Sequence, residues 1–209
     1  MPEQPSTLRA QRRAETQRVI QAHAVRLFTE RGYDTTTVTD VAAASGVSPM
    51  TVYRHFPTKE DLVLIDRHRT LVAERILVSS ATRPPARRIG NALIEAATTL
   101  TTDGGDPTAN GPFLLARVRL MISTPALRAR HLDNQYALQQ AIVDALGDDV
   151  CDPDTAFRTQ VVTSACLAAM HTALVRWAED EGRTELPALI AKALTATFGD
   201  DVVDTHRSR

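Results

Sequence analysis

The stretch from Thr37 to Lys59 reads T-V-T-D-V-A-A-A-S-G-V-S-P-M-T-V-Y-R-H-F-P-T-K and is a succession of helix start and stop signals. Thr37 with Asp40 three residues on is a pattern that satisfies orphan backbone donors reciprocally, so a short helix is predicted from there through Ser45. Gly46 ends that helix, because the sharp turn needs φ > 0 and glycine adopts it without steric cost. Ser48 caps a second helix, and Pro49 at its first position has its φ preset and no donor to leave unpaired. Val38, Val41 and Ala42 on the first helix and Val47, Val52 and Phe56 around the second are spaced to meet in a small core. The spacing predicts a helix-turn-helix.

Its outward set is Ser48, Met50, Thr51, Tyr53, Arg54 and His55: short donors, one thioether and one guanidinium, a mixture suited to the major groove. Two-helix corners also occur as plain architecture, so the flanks decide. Upstream, Ile20, Ala24, Leu27 and Phe28 follow helical spacing, Gly32 stops that helix, and Tyr33 opens a linker into Thr35, Thr36 and Thr37. Downstream, Phe56-Pro57 breaks the chain and Thr58-Lys59-Glu60-Asp61 restarts it as a capped helix through Leu62 and Ile65.

This order closely resembles the amino-terminal domain of the TetR family of bacterial one-component regulators. The resemblance covers residues 14–66 and rests on Phe28, Gly32, Tyr33, Thr37, Val41, Ala42, Gly46, Val47, Ser48, Thr51, Tyr53, Phe56, Lys59 and Leu62. It implies that Thr37, Tyr53, His55 and Lys59 contact phosphates and that Pro49, Met50, Thr51 and Arg54 lie nearer the base edges, with Ser48 in the same DNA-facing set. Lys59 has a rationale of its own at a helix N-terminus, where free N–H groups already favour a phosphate. Tyr53 is expected to pack its ring and offer its hydroxyl to a phosphate. Met50 departs from the family pattern, which has glycine there; a flexible apolar side chain either touches a thymine methyl or holds the helix further out.

Residues 1–13 are read as a flexible N-terminal arm, 14–60 as the helix-turn-helix domain, 61–200 as a ligand-binding and dimerisation domain and 201–209 as a flexible tail. Arg9, Arg12 and Arg13 in the arm either reach the DNA or are solvated, and the two prolines among residues 1–7 favour the second. The net charge of −1 does not by itself point to nucleic acid, although residues 1–60 hold eight basic against six acidic side chains. Cys151 and Cys166 suit a reducing compartment and a packing role. The polar, Arg-rich start is no signal peptide, and the expected location is the cytoplasm. Thr159–Val175 runs 17 residues without a formal charge, but Gln160, Thr163, Ser164, His171 and Thr172 mark a buried soluble helix rather than a membrane span.

Beyond the head no strand pattern occurs. Helical runs are predicted at 58–80, 85–102, 111–123, 125–147, 153–181 and 185–198, giving an all-α chain: an N-terminal three-helix DNA-binding domain followed by a C-terminal helical domain. The last two helices are expected to form a homodimer interface, from Ala165, Ala168, Ala169 and Ala173 on one and Leu186, Leu189, Ile190, Ala193, Leu194 and Phe198 on the other. A single recognition helix reads few bases, whereas two about 34 Å apart read a palindromic operator.

The C-terminal half resembles the subgroup whose carboxy-terminal domain is described as acyl-CoA-like ligand-binding, through Arg117-Val118-Arg119-Leu120, Thr124–Arg130, Arg176-Trp177 and Leu186–Leu189. Leu93, Leu100, Phe113, Leu114, Met121, Tyr136, Met170 and Trp177 are candidates for an apolar ligand cavity, with Arg117 or Arg128 at its mouth for an anionic head. Side chains of this kind at helical spacing also make ordinary core. An effector is expected to act by swinging the helix that begins at Thr58. No cofactor is expected, and no catalysis: G-x-S-x-G, H-E-x-x-H, a P-loop and a Gly-rich dinucleotide turn are all missing. The six histidines, at 23, 55, 68, 131, 171 and 206, form no i,i+3 or i,i+4 pair for a helical metal site. A helical small-molecule carrier with a vestigial head is the competing reading.

Overall fold

A computed structural model describes residues 5–64, 67–102, 108, 110–147 and 152–202, and all regular structure among them is helical. The helices are α1 (Pro5–Arg31), α2 (Val38–Ala44), α3 (Pro49–His55), α4 (Arg67–Leu77), α5 (Pro85–Thr101), α6 (Gly111–Ser123), α7 (Pro125–Leu146), α8 (Pro153–Glu179) and α9 (Leu186–Phe198). Two 3-10 turns, Glu60–Leu62 and Asp200–Val202, complete them. Proline sits in the first turn of α3, α5, α6, α8 and α9, where its missing N–H would have had no helical partner.

The run expected at 58–80 does not form as one helix. It divides into the 3-10 turn and α4, and the Val63 carbonyl, which a continuous helix would give to residue 67, instead accepts the Arg117 Nε–H at 2.5 Å. The arm also differs from expectation: α1 begins at Pro5, so residues 5–13 are helical, as their content of Ala, Leu, Gln and Arg allows. In the tail Val202 is buried, and the residues after it lie outside those described, as does Cys151.

The chain forms two compact units that cut across the 60/61 division: residues 1–65 with 103–128, and residues 66–102 with 129–209. In the first, α1, α2, α3 and the 3-10 turn enclose one cluster around Ile20, Ala24, Phe28, Val41, Val52, Phe56 and Leu62. α6 packs on α1, and it belongs to this unit because Phe113, Ala116 and Leu120 seat on that same cluster. Phe28 is 1% exposed, with the Tyr33 ring 5.0 Å away.

In the second unit α5 is the central element, packed on α4, α8 and α9, with α8 and α9 also against each other. Ile89, Leu93 and Ala96 on α5, Leu167, Met170 and Trp177 on α8, and Leu186, Ile190 and Leu194 on α9 are buried. Gly90 permits the close approach of α9, since a Cβ there would stand 3.3 Å from Leu194 Cδ1 and 3.4 Å from the Val202 carbonyl. Arg88 is buried yet satisfied: it donates to Ser79 Oγ at 2.9 Å and to the Ile76 and Leu146 carbonyls at 3.2 and 3.4 Å, closing the C-terminal ends of α4 and α7. α8 is long and apolar enough to cross a membrane by length and composition, and 44% of its most apolar stretch is buried inside the molecule.

Candidate nucleic-acid interface and effector unit

The head is built by local capping. Thr37 Oγ1 accepts the Asp40 N–H at 3.1 Å and Asp40 Oδ2 accepts the Thr37 N–H at 2.8 Å, which makes the expected capping box and holds the Asp40 carboxyl below its ordinary pKa, first through the Thr37 side chain and then through its backbone. Gly46 has φ +67°, and Val47 N–H reaches back to the Ala42 carbonyl at 3.0 Å. Ser48 Oγ accepts the Thr51 N–H at 3.1 Å and pairs with the Thr51 hydroxyl at 2.9 Å. Those bonds aim α3. Its outer face carries Ser48, Pro49, Met50, Tyr53 and Arg54, all exposed, with Thr51 half-buried; Met50 is 69% and Tyr53 49% exposed. Tyr53 therefore does not pack its ring in the core as expected, because Val52 next to it takes the inward position.

Two of the expected phosphate ligands are placed differently. Lys59 sits at the head of a three-residue 3-10 turn, not an α-helix. Its ammonium donates to the Tyr33 carbonyl at 2.5 Å and lies 4.2 Å from the Tyr33 ring centroid and 5.5 Å from that of Phe28, so it fastens the α1–α2 linker. The same linker is held by the Tyr33 hydroxyl, which donates to Glu60 Oε1 at 2.8 Å. Burial and that carboxylate raise the Tyr33 pKa; burial alone would raise the Glu60 carboxyl too, but hydrogen bonds from its own backbone, Tyr33 and Thr58 outweigh it and hold it low. His55 is half-buried, and burial together with the cations Arg13 and Arg54 lowers its pKa, so it is neutral at pH 7. The positive charge at this end of α3 comes from Arg54 and from Arg13. The sequence marks Arg13 as part of an arm that either reaches DNA or is solvated; its nearness to His55 is not legible there, because it depends on α1 already being helical at residue 13.

The candidate ligand-cavity residues divide between the units. Phe113, Leu114, Arg117, Met121 and Arg128 fall in the first unit, Leu93, Leu100, Tyr136, Met170 and Trp177 in the second. Phe113 packs on the head cluster, and Arg117 lies 5.8 Å over its ring with Nε on the Val63 carbonyl; burial lowers the guanidinium pKa to about 9. Arg117 is thus engaged with the head rather than waiting at a cavity mouth. Leu93, Met121, Met170 and Trp177 are buried, Leu100 and Leu114 half-buried, and Arg128 exposed. Tyr136 is 67% exposed, since Leu138 and Ile142 take the inward stripe of α7.

Sequence reading missed a pair in the second unit. His131 on α7 and His171 on α8 stack at 5.5 Å between centroids, and His131 Nε2 and His171 Nδ1 are both buried without a partner among the described residues. Burial and then His171 lower the His131 pKa to about 4. Each such orphan atom costs about 1–3 kcal/mol. A search for histidines within one helical turn cannot find two that are forty positions apart. Cys166 is buried and its thiol pushed up to about 12 by burial, which makes it a packing residue.

The dimer reading also needs correction in its particulars. Leu186, Ile190 and Leu194 on α9 and Ala169 and Ala173 on α8 are buried within the chain itself. The surface that remains is a stripe of α8 at helical spacing, Phe157, Val161, Ser164, Ala168 and Thr172, all exposed.

A capped helix-turn-helix with an open recognition face, joined to a second helical unit, defines a DNA-binding regulator that carries its own sensor. Residues 20–64 match the bacterial regulatory proteins of the tetR family and residues 84–198 match the MftR C-terminal domain, so the chain belongs to the TetR family. The HTH-type transcriptional regulator TcmR of Streptomyces glaucescens is 26% identical over 175 residues, 81% of this chain and 76% of that protein. Three solved structures share the fold. FadR of Thermus thermophilus, a repressor in complex with lauroyl-CoA, is 22% identical with a TM-score of 0.54 over 88% of this chain and 94% of that one. The fatty acid degradation regulator FadR of Bacillus halodurans is 15% identical with a TM-score of 0.59 over 96% and 98%. NalD of Pseudomonas aeruginosa, the secondary repressor of the MexAB-OprM multidrug efflux pump, is 21% identical with a TM-score of 0.54 over 89% and 95%. The protein is a ligand-responsive, DNA-binding transcriptional regulator, not a carrier with a vestigial head, and the family is one of regulators rather than enzymes.

Proposed function

We propose that the protein is a repressor that binds a palindromic operator as a homodimer in the cytoplasm and is released by a small apolar or acyl-type effector. The carrying observation is the outer face of α3, where Met50, Tyr53 and Arg54 stand exposed although nothing in the chain requires them there. Pro49, Met50, Thr51 and Arg54 read base edges; Ser48, Thr37 and Tyr53 contact the backbone, with Arg13 adding charge. His55 serves as a neutral donor, and Lys59 reaches a phosphate with the ammonium donors that Tyr33 leaves over.

The division of labour follows the chain: residues 14–60 read DNA, and 61–200 sense the effector and dimerise. The exposed α8 stripe from Phe157 to Thr172 is the dimer seam, since small residues let a second copy of the helix approach closely. α6 couples the two tasks. It is seated on the head cluster and bonded through Arg117 to Val63, so an effector that moves α6 moves the head, and about 1.4 kcal/mol of coupling gives a tenfold loss of operator affinity. The FadR complex with lauroyl-CoA supports the acyl-type effector by analogy of fold.

The test is fluorescence anisotropy on duplex DNA from the region upstream of the protein's own gene, against a scrambled duplex over a salt series. Sequence-selective binding with a steep salt slope is expected. Equal affinity for both duplexes, there and across a genomic fragment library, would refute operator recognition.

A further inference from the structure

Among the described residues of the second unit, the pair His131–His171 is explained by neither packing nor capping. The rings lie 27° apart in plane, and neither imidazole has a hydrogen bond among the described residues. A metal ion is a poor fit. It requires in-plane lone pairs that converge on one point, which stacked rings do not supply, and no third His, Cys, Asp or Glu joins them among the described residues. Leu167, Met170 and Ala173 near His171 on α8 are apolar and buried, as are Leu138 and Ile142 two and three turns along α7 from His131, while Asn134 and Gln135, one turn from it, are half-buried. An occupant here needs an apolar body and one group that serves two unpaired ring nitrogens.

We propose that His131 and His171 are the polar anchor for an amphipathic organic acid, whose carboxylate takes an N–H from each imidazole while its apolar body lies along α7 and α8. This rests on the reading of the second unit as an effector sensor. A free carboxylate meets that requirement, because it accepts two hydrogen bonds and also supplies a countercharge. The acid binds as its anion together with one proton from solvent; that proton goes to one imidazole, which becomes a charged donor, and the other ring donates its existing N–H.

Among the described residues no acid is a hydrogen-bond partner of either imidazole, and Asp133, the acid nearest in sequence to His131, is exposed. On α7 the nearby charges are Arg130 and Asp133, on α8 Arg176, and on the elements packed against α8 they are Arg87, Arg88 and Glu95 of α5 and Lys192 of α9. Glu95 is paired with Arg75 at 3.1 Å, Arg88 is committed to Ser79, Ile76 and Leu146, and Arg176 lies 3.8 Å from Glu179. Burial first, and then His171, lower the His131 pKa and keep its ring neutral in the free protein. An anion reverses that balance.

The experiment is calorimetric titration of the full chain at pH 7 with dodecanoate and dodecan-1-ol, and with 2-naphthoate and 2-naphthylmethanol, each in two buffers of different ionisation enthalpy. At least one acid is expected to bind about tenfold or more tightly than its alcohol. Its binding is expected to take up about one proton, visible as a buffer-dependent enthalpy. The His131→Phe, His171→Phe double variant unfolds at the same midpoint or a higher one, because stacked apolar rings replace rings with unpaired nitrogens, and loses both the preference and the proton uptake. Equal binding of acid and alcohol, no binding of either acid, or proton uptake surviving in the double variant would each overturn the anchor. Operator anisotropy on the same samples separates this from the wider reading: selective DNA binding that persists while the anchor fails leaves the regulator intact, and absent selectivity strikes the regulator itself.

Discussion

The reading head and the effector unit satisfy their polar groups by opposite means. The caps of the head pair residues close in sequence: Thr37 with Asp40, Ser48 with Thr51 and Thr58 with Asp61, each three residues apart. In the effector unit Arg88 gathers acceptors 9, 12 and 58 positions away, and His131 and His171 gather none. α2 and α3 thus take their geometry from local turns, tied to the rest of the head by Lys59, Tyr33 and Arg117, while the effector unit relies on Arg88 for its distant contacts and leaves two imidazole nitrogens unpaired side by side. Among the described residues the head has one such atom, His55 Nδ1, at the edge of the recognition helix, where the effector unit has two stacked together. A module that must accept a guest needs such an opening.

The largest effect that sharpens this contrast is expected at Phe28, which is fully buried at the centre of the head and supports the Tyr33 ring and the Lys59 ammonium. Phe28→Ala should cost about 3–5 kcal/mol in chemical denaturation. Operator binding should vanish with it. A loss below 1 kcal/mol would mean that the head does not depend on a single cluster.

Next is the recognition face. Arg54 is exposed and lacks a structural task, so Arg54→Ala should leave the unfolding midpoint unchanged and weaken operator binding by about tenfold to a hundredfold. Anisotropy on specific and scrambled duplexes separates its two uses. A loss confined to the specific duplex marks a base contact, and an equal loss on both marks a phosphate contact.

Much of this was legible beforehand, and unevenly. The caps, the Gly46 turn and the five helices from Pro85 to Phe198 follow from residues a few positions apart, where spacing and backbone chemistry settle the outcome. What the chain did not declare was set by distance. The membership of α6 in the head unit turns on Phe113 meeting residues about eighty positions earlier, and the break after Leu62 turns on Arg117 taking a carbonyl that local reading assigns to the helix. The inward turn of Lys59 and the nearness of Arg13 to His55 are of the same kind. Residue type identified the candidates, but only the folded chain says which of them are already occupied.

The open polar place in the effector unit should be visible as a pH dependence. His131 has a folded pKa of about 4 against an ordinary value of 6.5, so below 6.5 the unfolded chain binds a proton that the folded chain refuses. Stability is therefore fully present above that value and falls as the pH drops toward 4, by about 3 kcal/mol for this group. His131→Phe should flatten that part of the profile of unfolding midpoint against pH. An unchanged slope would mean that the imidazole is solvated in both states, and the contrast between the two units would lose its sharpest element.

The smallest effect tests the head at its most local. Thr37→Ala removes the hydroxyl that accepts the Asp40 N–H, and the loss of a single N-cap is expected to cost about 1 kcal/mol. Asp40 keeps its bond to the residue 37 N–H, so half of the capping box survives and α2 should persist. If the cap is purely architectural, operator affinity falls only as far as the head unfolds, which at this cost is almost nothing. If Thr37 also reaches a phosphate, affinity falls on specific and scrambled duplexes alike and the salt slope stays the same, because a neutral hydroxyl displaces no counterion. Replacement by serine discriminates between the two, since it restores cap and hydroxyl together: full recovery of affinity with Thr37→Ser, against a persistent deficit in Thr37→Ala beyond its stability cost, assigns the side chain both tasks.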